Sequence, residues 1–313
     1  MNTPSSVETQ TEDGWILHGE LRLPEGEPRA VAVLGHAMWV DRRTLDRPRG
    51  AGLASTLVER GIACLLFDMR GHGESGPLPR DGGRFAYDHY VLYDVPAIVE
   101  AARKRFPNLP VVLVGHSLTG HTGAIAAGLF PDSAPDAIVA IAANCWIRRF
   151  EPSVRLRLVK GLALLAWAAV TYPEGHFDAR RYGLGSSGVP WGYVRQYVEH
   201  YFRDHLHSAD GRYDYLAALS HIQIPIYSLC SQGDRFMAEP RSVRAFFSPV
   251  SASRLRHREV RRGEVDPLPG HMELVTSIVS KPLWEDIGRF ILTVSARGGV
   301  ESNYTSPTSE SRD

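Results

Sequence analysis

The segment Gly-His-Ser-Leu-Thr-Gly at residues 115–120 constrains the fold of this chain more than any other feature. It follows the apolar run 111–114 and precedes a glycine- and alanine-rich stretch, residues 118–130, that favours a helix. A serine at a sharp turn between strand and helix stands clear of both backbone ladders, and the free amides of the helix start lie beside it. Ser117 is therefore the candidate nucleophile. The alternative is a plain strand-to-helix turn with a solvated serine.

The composition is that of an ordinary globular protein, with 43% hydrophobic residues among 313 and equal numbers of basic and acidic residues. A net charge of zero gives no electrostatic reason to expect nucleic acid or an anionic membrane as partner. Cys64, Cys145 and Cys230 are odd in number and lie in or beside apolar runs, which favours buried, reduced thiols. Residues 1–12 lack the pattern of a secretory signal, so a cytoplasmic location is expected.

Strand and helix patterns alternate along most of the chain, which predicts a parallel sheet covered by helices on both faces. Residues 145–213 break the alternation: they are rich in tryptophan and tyrosine and show no clear strand, so a helical insertion is expected there. The predicted organisation is a core of residues 7–144 and 214–295, the insertion, and a disordered tail of residues 296–313 that is rich in Ser, Thr, Glu and Arg.

Within the insertion, residues 162–170 are almost wholly apolar. A polar residue before them and a proline after them leave the segment well below the roughly 20 residues that span a bilayer. No membrane span is therefore expected. Two interpretations stay open, a helix buried in the protein or a lid helix that faces an acyl pocket.

The order of elements and several motifs resemble the α/β-hydrolase superfamily over roughly residues 7 to 295. Residues 68–75 read Asp-Met-Arg-Gly-His-Gly-Glu-Ser and are similar to the D-x-R-G-x-G-x-S turn of many members. The arginine pair 180–181 and the turns at 231–234 and 269–271 resemble a bacterial group of predicted esterase-like hydrolases with a helical cap. The resemblance implies an α/β fold, with a mostly parallel central sheet flanked by helices and with residues 145–213 as the cap.

Members of this superfamily carry nucleophile, acid and base in that chain order. Asp234 follows a predicted buried strand in a glycine-containing turn and is the candidate acid, with Glu239 and Asp266 as rivals. His271 is the candidate base because it follows the last predicted strand in a loop before the final helix. In this arrangement His271 would take the Ser117 proton, and Asp234 would orient the imidazole.

The resemblance also implies two backbone donors for the oxyanion, the amides of Leu118 and Met38. Two residues depart from the superfamily pattern: Ala37 stands where a glycine is usual, and so does Thr119. If Thr119 merely crowds the turn, its replacement by glycine would be harmless. If its hydroxyl binds the substrate or the oxyanion hole, the same change would be harmful.

The expected activity is hydrolysis of a carboxylic ester, or a related acyl bond, of a small and partly apolar substrate through an acyl-serine intermediate. An acyltransferase with the same triad and a non-catalytic binding protein on the same scaffold are the alternatives. His36, Trp167 and Trp191 are candidates for contact with the substrate. No cofactor or metal is expected, because no cluster of His, Cys or carboxylate residues has ligand spacing. The predicted partner is a small-molecule acyl substrate, and the sequence gives no oligomeric state.

Overall fold

The computed structural model describes residues 4–301. A sheet of eight strands runs through it in the order β1-β2-β4-β3-β5-β6-β9-β10, and a separate two-stranded sheet pairs β7 with β8. The strands are β1 Ser5–Gln10, β2 Ile16–Arg22, β3 Ala30–Gly35, β4 Ile62–Phe67, β5 Val111–His116, β6 Ala137–Ile141, β7 His176–Asp178, β8 Gly188–Pro190, β9 Ile226–Ser231 and β10 Leu255–Val260. Strands β1 and β2 run antiparallel to their neighbours, and β4, β3, β5, β6, β9 and β10 are parallel.

The five central strands, β3, β4, β5, β6 and β9, are buried at every position. A strand covered on both faces reads as a continuous apolar run, and this is how the sequence predicted them. The expected α/β fold with a mostly parallel sheet flanked by helices is confirmed. Strand β1 was not predicted, because its polar sequence Ser-Ser-Val-Glu-Thr-Gln lies at the sheet edge and carries no strand pattern of its own.

In the described part of the chain, ten α-helices accompany the sheet: α1 Leu53–Glu59, α2 Tyr87–His89, α3 Val95–Arg105, α4 Leu118–Leu129, α5 Val154–Thr171, α6 Trp191–Arg203, α7 Tyr215–Ala218, α8 Pro240–Phe246, α9 Glu273–Thr276 and α10 Lys281–Glu301. Helix α1 packs on α10 and β4, while α3 and α4 pack on each other and on β5. A π-helical segment, Tyr90–Asp94, joins α2 to α3. Helix α4 lies where the sequence favoured a helix at residues 118–130 and ends one residue earlier.

Residues 145–213 contain α5 and α6, which pack on each other, and the hairpin of β7 and β8. The prediction of an insertion without strands was wrong for this hairpin, whose strands have three residues each and carry too few positions for a periodic pattern. Helix α5 is buried on one side only: Leu164 and Trp167 face inward, whereas Leu158 and Leu162 are more than 60% exposed. Along residues 4–301, every helix falls short of the length or hydrophobicity that crossing a bilayer would require.

The last helix, α10, runs to Glu301 and therefore passes residue 295, where the sequence predicted the core to end. The predicted tail, residues 296–313, begins within this helix. Its remaining part, residues 302–313, lies outside the described residues.

Candidate active site

Three of the predicted site residues follow the carboxyl ends of parallel strands. Met38 follows β3, Ser117 follows β5 and Asp234 follows β9. Strands β3 and β5 are neighbours, and β6 alone separates β5 from β9. Carboxyl ends of parallel strands share one edge of a sheet, which is where open α/β sheets bind their ligands. The topology therefore brings these three segments to one edge.

Ser117 occupies a strained backbone conformation between β5 and α4, with φ 49° and ψ −105°. Its amide donates to the carbonyl of Ile141 on the adjacent strand at 2.8 Å, which holds the turn. The turn is tight because a Cβ placed on Gly115 would lie 2.4 Å from the amide nitrogen of Gly120. The three atoms nearest to such a Cβ all belong to the backbone of Thr119 and Gly120, so the close approach is to the backbone and not to the Thr119 side chain. The geometry is that of the sharp strand-to-helix turn expected for a serine nucleophile.

Strain is concentrated at this edge of the sheet. Within residues 4–301, four residues other than glycine have positive φ: Trp39, Ser117, Ala142 and Asp204. The first three follow β3, β5 and β6 in turn. Such conformations cost about 1–3 kcal/mol each and persist where the surroundings enforce them, often at functional sites.

His271 and Asp234 form a direct pair, with 2.6 Å between Nδ1 and Oδ2. The Asp234 carboxylate also accepts hydrogen bonds from the amides of Met237 and Ala238, each at 2.9 Å. Burial opposes ionisation of Asp234, but the contact with His271 and the two amides outweigh it, and its pKa is lowered. An ionised Asp234 keeps the Nδ1 proton on His271 and leaves Nε2 free to accept one.

The two rival acids lie in other surroundings. The Glu239 carboxylate caps α8, where it accepts from the amides of Arg241 and Ser242 at 2.7 and 3.1 Å. Asp266 is exposed. Only Asp234 of the three bonds to His271.

Ser117 and His271 are linked through His116, which was not singled out in the sequence. His116 is fully buried, and its Nε2 donates to the backbone carbonyl of His271 at 3.1 Å. The two imidazole rings lie 5.0 Å apart. The Ser117 hydroxyl itself makes no hydrogen bond to the described chain, and in unliganded sites such contacts often tighten only when substrate binds. His116 joins the nucleophile strand to the loop of the candidate base.

His36 and Thr119 hold the loop that carries the Met38 amide. The Nε2 of His36 accepts from the amide of Met69 at 3.0 Å, and its Nδ1 donates to the carbonyl of Ala37 at 2.7 Å. The Thr119 hydroxyl donates to the carbonyl of His36 at 2.9 Å. His36 is fully buried and exposes no atom to a substrate, so the structure does not place it where a substrate contact was expected.

A cavity of about 460 Å³ lies between this edge of the sheet and helix α5. Its lining residues are Met38, Trp39, Trp146, Ala163, Leu164, Ala166, Trp167, Val170, Phe177, Tyr182, Leu184, Tyr197, Phe236 and Met237. None of the described residues that line it is charged. Met38 belongs to the loop after β3, and Met237 belongs to the turn whose amides bind the Asp234 carboxylate. The cavity therefore reaches both of these segments.

The structure brings Trp167 into this wall but not Trp191. Trp167 is 9% exposed and its ring lies 5.3 Å from that of Trp39. Trp191 is half-buried at the start of α6 and packs on Tyr172, with 5.2 Å between the ring centroids. Sequence reasoning had no signal to separate the two tryptophans, because both lie in the same aromatic-rich insertion.

A buried ion pair anchors α5 behind the cavity. The Lys160 ammonium lies 2.6 Å from Glu151, and both side chains are fully buried. The second Glu151 oxygen accepts from Ser242 on α8 at 3.0 Å, and Lys160 also lies 4.6 Å from the centre of the Trp146 ring. Removing one partner of such a pair typically costs about 3–5 kcal/mol. The insertion is therefore tied to the sheet domain by buried polar contacts.

Several histidines are buried in the neutral form, which makes stability depend on pH. Burial lowers the pKa of His72 and His121 to about 3 and that of His200 to about 4. An unfolded histidine titrates near 6.5, so below that pH the unfolded chain binds protons that the folded chain does not.

Within residues 4–301, no group of three or more His, Cys, Asp or Glu residues is arranged to hold a metal.

We expect the free energy of unfolding to fall as the pH decreases from about 6.5 towards about 4. Each of these histidines contributes up to about 1.4 kcal/mol per pH unit. Urea unfolding at pH 7.5, 6 and 5 measures the slope, and His121→Asn should reduce it. A free energy of unfolding that is the same at pH 7.5 and pH 5 would contradict this prediction.

Segments of the chain are similar to known hydrolases. A family model described as serine aminopeptidase, S33, matches residues 40–191. The tear acid lipase-like protein of Mesocricetus auratus is 25% identical over 128 residues, and the monoglyceride lipase of Homo sapiens is 29% identical over 126 residues. These matches cover 37% and 38% of this chain but 32% and 38% of the lipases, so the chain spans about a third of the length of its curated relatives.

The fold is also found among solved structures. Est1E from Butyrivibrio proteoclasticus with bound ferulic acid superposes with a TM-score of 0.63 at 17% identity, covering 93% of this chain and 100% of that one. At 17% sequence identity, the superposition shows only that the two chains share a fold. The sheet order and the turn at Ser117 are those of the α/β-hydrolase fold, and residues 40–191 match one family of these hydrolases.

Proposed function

We propose that the protein is a serine-dependent carboxylic ester hydrolase with Ser117 as nucleophile, His271 as base and Asp234 as the orienting acid. The observation that carries this proposal is the strained Ser117 turn at the same sheet edge as the 2.6 Å contact between His271 and Asp234. The lipases to which the chain is similar support the same reaction class.

In the first half of the reaction, Ser117 Oγ forms a bond to the ester carbonyl carbon while His271 Nε2 takes the hydroxyl proton. The amides of Leu118 and Met38 stabilise the negative oxygen that develops. The bond from carbon to the alcohol oxygen then breaks, and His271 returns the proton to the leaving alcohol. In the second half, water attacks the acyl-serine with His271 again as base, and the acid is released.

Residues 145–213 serve in this proposal as a cap over the core formed by residues 7–144 and 214–295. Helix α5 of the cap supplies one wall of the 460 Å³ cavity, and the loop after β3 supplies another. A wall without charged side chains favours an uncharged, apolar acyl or aryl group, since burying an unpaired charge there is costly. The substrate is thus a small, partly apolar ester.

An aminopeptidase, which the description of the matching family suggests, needs a carboxylate that recognises the free amino group of its substrate. None of the described residues lining the cavity supplies one. Assays with p-nitroanilides of amino acids, beside p-nitrophenyl esters of increasing acyl length, separate the two activities. Turnover of the anilides in preference to the esters would replace the proposal.

Acyl transfer and simple binding are also distinguishable from hydrolysis. An acyltransferase forms the acyl-serine but gives product faster when an alcohol or amine acceptor is added, whereas a hydrolase releases the free acid without one. A binding protein is not labelled by a fluorophosphonate probe. Labelling that disappears in Ser117→Ala, with release of the free acid by the wild type, supports the hydrolase.

The cavity predicts how activity depends on acyl length. Each methylene group buried against the wall adds about 0.8 kcal/mol, so kcat/KM should rise with acyl length until the cavity is full and then fall. Trp167→Ala enlarges the cavity and is expected to move the optimum to longer acyl chains. The matched control is Trp191→Ala, because Trp191 lies outside the lining. An optimum that stays in place in folded Trp167→Ala would show that Trp167 only packs the cap.

A further inference from the structure

Three hydrogen bonds hold the loop that carries the Met38 amide. Two of them come from other parts of the chain, and one lies within the loop. Met69 donates to the His36 ring, the His36 ring donates to the Ala37 carbonyl, and Thr119 donates to the His36 carbonyl, over distances of 2.7 to 3.0 Å. His36 and Thr119 are fully buried. Water therefore does not compete for these bonds.

The bond from the His36 ring to the Ala37 carbonyl sets the direction of the Met38 N–H. The Ala37 carbonyl and the Met38 N–H belong to one planar trans peptide, so they point to opposite sides of it. Because Met69 donates to Nε2 of His36, the proton of the neutral ring lies on Nδ1, and Nδ1 donates to the Ala37 oxygen. Holding that oxygen on one side aims the Met38 N–H to the other.

The bond from Thr119 to the His36 carbonyl connects the segments that carry the two proposed oxyanion donors, the amides of Leu118 and Met38. Thr119 follows Leu118 directly in the first turn of α4, where backbone N–H groups have no partner within the helix. Its hydroxyl reaches across to the His36 carbonyl, two residues before Met38. The side chain that replaces the usual glycine thus links the segment of one donor to the segment of the other.

The neighbouring strand is shaped to accept this side chain. A Cβ on Gly35 would lie only 2.2 Å from Cγ2 of Thr119. The glycine at the end of β3 therefore leaves the space into which the threonine methyl group packs. Thr119 is accommodated against β3 and does not crowd the turn at Gly115.

We propose that Thr119 is a positioning residue for the oxyanion hole, whose hydroxyl fixes the loop 36–38 relative to α4 and so keeps the Met38 amide aligned with the Leu118 amide. This inference rests on the proposed ester hydrolysis. It gives the threonine at the usual glycine position a structural role, since its hydroxyl holds the loop 36–38.

The test compares Thr119→Val, which keeps the shape and removes the donor, with Thr119→Ser, which keeps the donor. Loss of a whole oxyanion donor costs roughly 10²–10³-fold in kcat, and a misdirected one costs less. We expect Thr119→Val to lose about 10- to 100-fold in kcat with KM changed less than about threefold, and Thr119→Ser to stay within about fivefold of the wild type.

A second measurement separates the oxyanion hole from general packing. A trifluoromethyl ketone that matches the best acyl group forms a tetrahedral adduct with Ser117, whereas the corresponding alcohol binds without one. In Thr119→Val, affinity for the ketone should fall with kcat, and affinity for the alcohol should not change. Thermal melting of each variant shows whether it is folded. If Thr119→Val does not fold, Gly35→Ala, which displaces the threonine methyl group, should give the same pattern.

Equal kcat in wild type and Thr119→Val, or equal losses in the valine and serine variants, would overturn the positioning role while leaving the hydrolase intact. A wild-type protein that neither hydrolyses esters nor reacts with a fluorophosphonate would overturn the proposed function and this inference with it. The two failures are distinct, because only the second is seen in the unmodified protein.

Discussion

Ser117→Ala is expected to lower kcat for ester hydrolysis by roughly 10⁴- to 10⁶-fold and to abolish labelling by a fluorophosphonate probe. The hydroxyl forms the covalent bond to the acyl group, and no other nucleophile replaces it in the tight turn between β5 and α4. Rates with p-nitrophenyl esters and mass spectrometry of the labelled protein measure both effects. Wild-type turnover in the alanine variant would end the serine-hydrolase proposal.

Two further variants control for folding. Ser248→Ala removes an exposed hydroxyl that bonds only to the Ala245 carbonyl, and it should leave activity unchanged. Ser117→Gly should be as inactive as Ser117→Ala but more stable by about 1 kcal/mol, because glycine adopts a φ of 49° without strain. A gain in melting temperature together with lost activity would show that the strain at Ser117 serves catalysis.

Asp234→Asn is expected to lower kcat by about 10³- to 10⁴-fold. The asparagine amide can donate to Nδ1 of His271, which leaves the proton on Nε2 and prevents that nitrogen from accepting the Ser117 proton. Because two backbone amides also bind the Asp234 carboxylate, the variant should keep the turn in place and lose some stability. Kinetics at saturating ester and thermal melting separate the two effects.

The rival acids are the matched controls for that experiment. Glu239→Gln should weaken the cap of α8, at a cost of about 1 kcal/mol in stability, and should change kcat little. Asp266→Asn should change neither. A mild effect at Asp234 beside a severe one at Glu239 or Asp266 would show that another carboxylate orients His271.

The parallel core was predictable because each central strand carries its own signal. A strand buried on both faces is a continuous apolar run, and the run 111–114 identified in the sequence lies within β5. Strand β1 and the hairpin of β7 and β8 were not predictable in this way. Polar or three-residue strands owe their structure to the strand that pairs with them, which is β2 for β1, whereas β7 and β8 pair with each other.

For the candidate site, chain order and residue type led to Ser117, Asp234 and His271, since a glycine-flanked serine and a carboxylate after a buried strand are local patterns. The sequence did not predict the places of residues whose surroundings depend on tertiary contacts. His36 was expected to touch substrate but is a buried support of the loop before Met38, and Trp191 lies outside the cavity that Trp167 lines.

By itself the sequence determined the class of fold and the sharp turn at Ser117, because these depend on short-range preferences and on apolar runs of sufficient length. The order of the candidate triad was implied by the resemblance to the superfamily. Tertiary structure alone decided that Thr119 bonds to the His36 carbonyl and that His116 holds the His271 carbonyl. Such bonds join residues 83 and 155 positions apart, and which ring or hydroxyl meets which carbonyl follows from the register of β3 beside β5 and from the path of the loops. The physical reason is that a hydrogen-bond partner is chosen by proximity in the folded chain, which no local pattern encodes.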